Sequence, residues 1–421
     1  MISSLNQVVK GHLCMSCGAC FNSCEKVIDQ EGLKLPQFSQ EITSDQELFQ
    51  LCPGKGYNID ALAGQGREYC LELGHYEKLY AAKSTSELIL RKASSGGVMT
   101  AIADFLLEQN LVDGVIVTKI VCEDGTVSAE PFIARCLEDL LQAQGSKYMP
   151  VSNLNFIKTL EGSKERYAMI GTPCHIAGVR LLQQRHPIWR ERIPYTIGNF
   201  CGGFRDFREF KSICHNLNID IRQVADLSYR GDGQPGYMTI TLKNGNRVRL
   251  NYPAYAKMTG YPVIRRCRLC IDATAELADF SCGDAWLPRF RECNDVRSVI
   301  IARSEKAKFI VDEMTEKKLL DCQNITQDEV ILSQKTNLNS KKRRQFARRK
   351  AFSRLWQKLP DFPVGYDQQH CSSRLELKVL ISHGFFYYLQ RLGCYSLFAK
   401  LTKRNKTKVE FLYADEQRKR Q

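Results

Sequence analysis

From about residue 80 to residue 320 the apolar positions follow two alternating patterns. Runs of strand length (Val112–Thr118, Tyr167–Gly171, Tyr195–Phe200) alternate with stretches of helical period (Val98–Gln109, His175–Gln184). The alternation predicts a mixed α/β or α+β domain over 80–320. Inside it, Met238–Leu242 and Arg247–Leu250 flank Lys243-Asn244-Gly245, a predicted hairpin, because Asn-Gly supplies the positive φ angles of a tight turn. Residues 1–60 are turn-rich with little periodicity and read as a separate small ferredoxin-like module. Residues 321–421 read as a basic, helical C-terminal extension.

No uncharged apolar run reaches the roughly 18 residues of a transmembrane helix. The first residues, Met1 to Gln7, lack the apolar stretch of a signal peptide, so a cytoplasmic protein is expected. In that reducing setting the 18 cysteines are informative, because clustered thiols there bind metal or do redox chemistry. The scattered Cys122, Cys136, Cys214 and Cys322 are read as small buried apolar side chains. Much of the formal charge of +14 sits in the extension, including Lys341-Lys342-Arg343-Arg344 and Arg348-Arg349-Lys350. Nucleic acid, an anionic membrane surface and an acidic electron-transfer protein all suit such charge. The segment Leu375–Leu401 (with Val379, Leu380, Phe385 and Phe386) suits packing on the protein's own core better than a helix lying on a membrane.

Cys14-x2-Cys17-Gly-x-Cys20-x3-Cys24 places four cysteines within eleven residues, the spacing that brings thiolates onto one iron–sulfur cube. Gly18 suits close passage of backbone past the inorganic core. The fourth ligand is either Cys24 or Cys52. Proline follows the fourth cysteine of bacterial ferredoxin runs, and here Pro53 follows Cys52 while Glu25 follows Cys24, which favours Cys52.

A second cysteine set is dispersed. Thr172 suits a helix N-cap, Pro173 the first helical position, and Cys174 the first turn, where the dipole favours a thiolate. Cys201 follows the strand Tyr195–Phe200, and Cys267-x2-Cys270 is a paired motif. Four such thiolates can hold a second [4Fe–4S] cluster; zinc and a redox dithiol are the competing readings.

Two stretches suit an anionic ligand. Ser94-Ser95-Gly96-Gly97 precedes a helix, where serines would cap and glycines would expose N–H groups to phosphate. Gly145-Ser146-Lys147-Tyr148 adds a lysine. Each is equally readable as an ordinary helix start or surface turn.

These motifs, with Val112-Asp113-Gly114, Phe200-Cys201-Gly202-Gly203 and the run Cys267–Trp286, together resemble the coenzyme F420-reducing hydrogenase beta subunit family. Its relatives include ferredoxin-dependent chlorophyll(ide) reductases. The resemblance covers about residues 10–310. It implies FAD beside a [4Fe–4S] cluster, with cluster ligands Cys174, Cys201, Cys267 and Cys270. It also implies flavin phosphates near Ser95, Gly96, Gly97, Ser146 and Lys147. The expected function is an iron–sulfur flavoprotein oxidoreductase. Electrons would pass between reduced ferredoxin or a similar carrier, two clusters, FAD and an organic substrate. A non-catalytic relay within a larger complex is the alternative, and a zinc-bearing nucleic-acid binder explains least.

Other residues are given lesser roles. Asp272, Glu276 and Asp279 are read as a solvated helix face rather than proton donors. Asp284 and Trp286 are placed near the flavin, His175 on a helix surface, and Gly231–Gly236 in a loop that either covers the flavin or is inert.

Overall fold

In a computed structural model of the chain, the described residues are 2–39, 46–64, 66–123, 125–157, 159–231, 236–252, 255, 263–355, 357–362, 374, 377–381, 385 and 409–413. Most of Leu375–Leu401 and residues 232–235 of the predicted loop lie outside them.

The chain opens with two short hairpins, β1 (Lys26–Gln30) with β2 (Leu33–Gln37) and β3 (Glu68–Cys70) with β4 (Gly74–Tyr76). A large sheet then begins with β5 (Lys78–Ser84), β6 (Gly114–Glu123), β7 (Thr126–Ala134), β8 (Tyr167–Gly171) and β9 (Tyr195–Asn199). A second sheet follows with β10 (Val224–Ser228), β11 (Tyr237–Leu242) and β12 (Arg247–Asn251), the last two forming the predicted hairpin. The chain returns to the large sheet as β13 (Phe280–Asp284), β14 (Ser298–Ala302) and β15 (Leu320–Asn324), and β16 (Val409–Leu412) closes the second sheet.

The large sheet has eight strands in the order β15-β5-β14-β13-β9-β8-β6-β7. Its centre, β13-β9-β8-β6, is parallel, and its flanks are antiparallel. Alternation along the strands explains why both faces are covered. Val115, Val117 and Ala168 share one core with Ile102, Phe105 and Leu106 of the helix Val98–Glu108. Ile116, Tyr167 and Met169 point the other way, into a core with Val179 and Leu182 of the helix Pro173–Arg185. Full burial of one such aliphatic side chain contributes roughly 1.5–3 kcal/mol. The second sheet buries Met238, Ile240, Val248 and Leu250 against Phe210 and Ile213 of the helix Arg208–Asn216.

The N-terminal residues dock on the loop before β8. Leu154 N–H donates to Cys17 O at 2.8 Å, and Ser152 Oγ donates to Ser16 O at 2.9 Å. Gly18 takes φ +93°, and a Cβ there would lie 2.7 Å from Asn155 N. Its need for glycine therefore comes from this docking contact.

Among the described residues the start of the C-terminal region packs on the rest of the chain. Phe352, on the helix Gln345–Arg354, packs with Leu5, Val8, Leu13, Phe49 and Leu269. Lys341 and Lys342 are each 3% exposed and Arg348 8%, so these three cations face the protein's interior, while Arg343, Arg344 and Lys350 of the same runs are exposed. Among the described residues no helix is long and apolar enough to cross a membrane.

Candidate functional site

The parallel strands aim their carboxyl ends at one place, as ligand-binding α/β sheets do. After β8 come Thr172 and Cys174, after β9 comes Cys201, and β13 ends at Asp284. A cavity of about 430 Å³ lies there, within the roughly 300–1,000 Å³ of small-molecule sites. Ser94, Ser95, Gly97, Ser146 and Lys147 all line it, so the two stretches singled out in the sequence meet. Asp284 and Trp286 line it too, as expected.

The helix start works differently from the sequence reading. Gly97 is the N-cap residue, at φ +71°, and no side chain caps the helix. Ser95 Oγ donates to Arg297 O at 2.8 Å, and Gly96 N–H donates to Ser298 Oγ at 3.0 Å, so both groups are engaged by the start of β14. Lys147 Nζ donates to the carbonyls of Ala143, Gln144 and Gly145, just past the helix Leu137–Gln142. Burial lowers its pKa to about 7, so it is a weaker phosphate partner than a free ammonium.

Sequence reasoning missed the strongest cation in the wall. Arg230, 3% exposed, pairs with Asp284 at 2.6 Å, donates to Ser94 O at 2.8 Å, and lies over the rings of Tyr252 and Trp286. Tyr148 stacks on Tyr252, and with Tyr255 they give the cavity an aromatic wall. Arg230 follows β10, and no local motif marks it; only the sheet-to-sheet packing brings it here. Ser94 Oγ and Gln144 Oε1 are buried at this wall and have no hydrogen-bond partner among the described residues. Buried polar atoms are normally satisfied, so these two fit a polar ligand such as FAD.

Thr172 joins the cavity to a thiol. Its hydroxyl lies 3.2 Å from Cys174 Sγ and 3.0 Å from His175 Nδ1. His175 is buried, not on a helix surface, and its Nε2 is 3.1 Å from Val151 O. A carbonyl only accepts, so Nε2 carries the proton and Nδ1 accepts, including from Thr172 N–H at 3.3 Å. Burial lowers the His175 pKa to about 4, which keeps the ring neutral.

The second cysteine set gathers behind Thr172. Burial pushes the Cys174 thiol up to about 11, with Cys201 and Cys270 adding to the rise. Cys267 is raised by burial and by Cys201 and Cys174. Lys341 Nζ stands 3.4 Å from Cys270 Sγ. In the first set, burial raises Cys14 to about 12 and raises Cys17 and Cys20 as well, and all three also feel Cys52. Cys24 is half-buried between exposed residues, and its Sγ donates to Phe21 O at 3.1 Å. Cys17 also feels Cys174, so the two sets are neighbours. Arg266, 2% exposed, acts on both Cys52 and Cys174.

Among the described residues no group of three or more His, Cys, Asp or Glu side chains is spaced to hold a single metal ion. A four-iron cube sets its thiolates wider, because each binds a different corner. The donors fit such clusters in kind: each set is all cysteine, buried or half-buried, and metal binding would displace thiol protons. Of the scattered cysteines read as buried, Cys214 is buried, Cys122 and Cys322 are half-buried, and Cys136 is exposed.

Asp272, Glu276 and Asp279 are also unlike a solvated helix face. They are buried in a loop, where Asp272 Oδ1 accepts from Thr274 N–H and Glu276 N–H. Glu276 pairs with Lys342, and Asp279 with Arg180 and Lys306.

Two family profiles match the chain, both of the coenzyme F420 hydrogenase/dehydrogenase beta subunit. The profile of its N-terminal part matches residues 79–158, and that of its C-terminal part matches residues 164–328. The chain belongs to this beta-subunit family. It is 30% identical to the coenzyme F420 hydrogenase subunit beta of Methanococcus voltae, over 65% of this chain and 95% of that protein. It is 28% identical to the coenzyme F420-dependent sulfite reductase of Methanocaldococcus jannaschii over 76% of this chain, but spans only 49% of that relative. In structure it resembles a chain of the F420-reducing [NiFe] hydrogenase complex of Methanosarcina barkeri, with TM-score 0.55 and 23% identity, covering 70% of this chain and 99% of that one. The family resemblance seen in the motifs is thus correct, and the mixed α/β fold is shared. The relatives are oxidoreductases or parts of them.

Proposed function

We propose that this chain is an iron–sulfur flavoprotein that moves electrons between a carrier protein such as ferredoxin and an organic substrate. The observation that carries the reading is the contact of Thr172, which lines the cavity, with Cys174, which in turn neighbours Cys17 of the first set. Cavity, second thiol set and first thiol set thus adjoin one after another, the arrangement a relay of electrons needs. When bound, two [4Fe–4S] clusters would carry single electrons, and FAD would convert them into a hydride equivalent.

The chain's residues divide the work. Cys14, Cys17, Cys20 and Cys52 would hold the first cluster, and Cys174, Cys201, Cys267 and Cys270 the second. Arg230 and Ser94 would meet the flavin's polar groups, and Tyr148 and Tyr252 its ring. Ser146 and Lys147 would flank the phosphates. Thr172 orients Cys174 against a neutral His175.

Anaerobic purification with iron, sulfide and flavin quantification tests the reading. About eight irons and one FAD per chain are expected; zinc without iron would overturn it. The names of the relatives make coenzyme F420 the first substrate to assay. Turnover without a partner protein separates an enzyme from a relay.

A further inference from the structure

Lys341 lies beyond residue 328, where the family match ends, yet it reaches the second thiol set. Its Nζ donates to Asp272 O at 2.8 Å and stands 3.4 Å from Cys270 Sγ. It is carried on a turn of π-helix, Asn339–Arg343, a local insertion that recurs at functional sites. The next residue, Lys342, pairs with buried Glu276 and pins the same turn. A buried ammonium is costly unless an anion answers it. Glu276 answers Lys342. Lys341 faces the buried Asp272 and the thiol set, with Cys270 in contact and Cys201 and Cys267 close enough to act on it, and these thiols add negative charge once they bind a cluster as thiolates.

We propose that Lys341 is a positioning residue that holds Cys270 and raises the reduction potential of a four-iron cluster on Cys174, Cys201, Cys267 and Cys270. The inference rests on the cluster assignment above. On reduction such a cluster gains one electron and its net negative charge rises by one; no atom moves to another group. A fixed cation in a low-dielectric interior stabilises the reduced form more than the oxidised one, and a hydrogen bond to a ligand sulfur acts in the same sense. Arg266 lies near Cys52 and Cys174 and so biases both sets. Lys341 touches a ligand of the second set, whereas the first set has Lys55 acting on Cys52.

The test is a redox titration followed by electron paramagnetic resonance on the full chain and on Lys341→Met and Lys341→Arg, with iron content measured for each. In iron-replete Lys341→Met the second cluster's midpoint should fall by at least one tenfold step in the oxidised-to-reduced ratio, about 59 mV for one electron. The first cluster's midpoint should stay in place, and Lys341→Arg should recover most of the shift. Loss of about four irons in Lys341→Met, with retention in Lys341→Arg, also supports the charge contact. An unchanged midpoint in iron-replete Lys341→Met overturns the inference, as does equal iron loss in both variants. Wild-type protein without iron would instead overturn the cluster assignment on which it rests.

Discussion

Arg230 Nη1 lies 2.6 Å from Asp284 Oδ2, in the wall of the cavity where two sheets meet. The pair links a residue that follows β10 of the second sheet to the last residue of β13, a central parallel strand of the first. It also turns the guanidinium over two aromatic rings while leaving it beside Ser94.

Removing only the cation should therefore be costly twice. Arg230→Met strands a largely buried carboxylate, a loss on the order of 3–5 kcal/mol. It also removes the main cation for a bound anion. The double variant Arg230→Met/Asp284→Leu should regain thermal stability but not flavin. Melting temperature and flavin affinity, measured together, check this; flavin recovery in the double variant would show that Arg230 acts on folding alone.

The first thiol set yields a sharper contrast. Cys52 and Cys24 are both half-buried, but Cys52 acts on Cys14, Cys17 and Cys20, whereas Cys24 acts on Cys20 and donates to Phe21 O. Cys52→Ala should lose about four irons per chain and Cys24→Ala almost none. The reverse order in anaerobic iron assays would assign the ligand to Cys24.

How much of this was legible in sequence follows from the range of each signal. The cysteine spacings and the turn into Pro173 are local, and the strands Tyr167–Gly171 and Tyr195–Asn199 lie where periodicity put them. Arg230, by contrast, matters only because a strand of one sheet ends beside a strand of the other. Lys341 and Lys342 sat in a charge run that any local rule assigns to solvent. Their burial depends on Glu276 and Cys270, more than sixty positions away. Asp272, Glu276 and Asp279 misled for a related reason: their spacing is helical, but the backbone there is a loop held by those carboxylates themselves.

Asp279 should behave as a structural acid. Its Oδ2 accepts from Thr196 N–H at 2.9 Å and from Arg180 at 3.1 Å, and Lys306 lies 3.0 Å from Oδ1. Burial alone would raise its pKa, but Arg180 and Lys306 hold it below the usual 3.8. The unfolded chain therefore takes up this proton first as pH falls. The stabilisation is full above about pH 4 and is lost as pH drops through the lower folded value. Asp279→Asn should lower the melting temperature at pH 7 and flatten its decline in acid, while flavin content per folded chain stays constant. A normal melt at pH 7 would deny the carboxylate this role.

The phosphate site needs a probe that does not disturb the fold. Gly97 is unsuitable, because its φ is +71° and an added Cβ would lie 2.8 Å from Ile89 Cγ2, so any side chain strains the helix start with or without a ligand. Ser146 lines the same cavity and is only partly buried. Ser146→Asp would set a carboxylate where the doubly charged pyrophosphate is expected, and Ser146→Ala controls for the lost hydroxyl. Losing charge-assisted contacts worth roughly 1.5–3 kcal/mol each corresponds to about a tenfold to hundredfold weaker flavin affinity per contact. Ser146→Asp should therefore emerge from gel filtration without flavin at an unchanged melting temperature of the flavin-free protein, while Ser146→Ala keeps most of it. Full flavin occupancy in Ser146→Asp would move the phosphates away from this turn and toward Ser94 and Arg230.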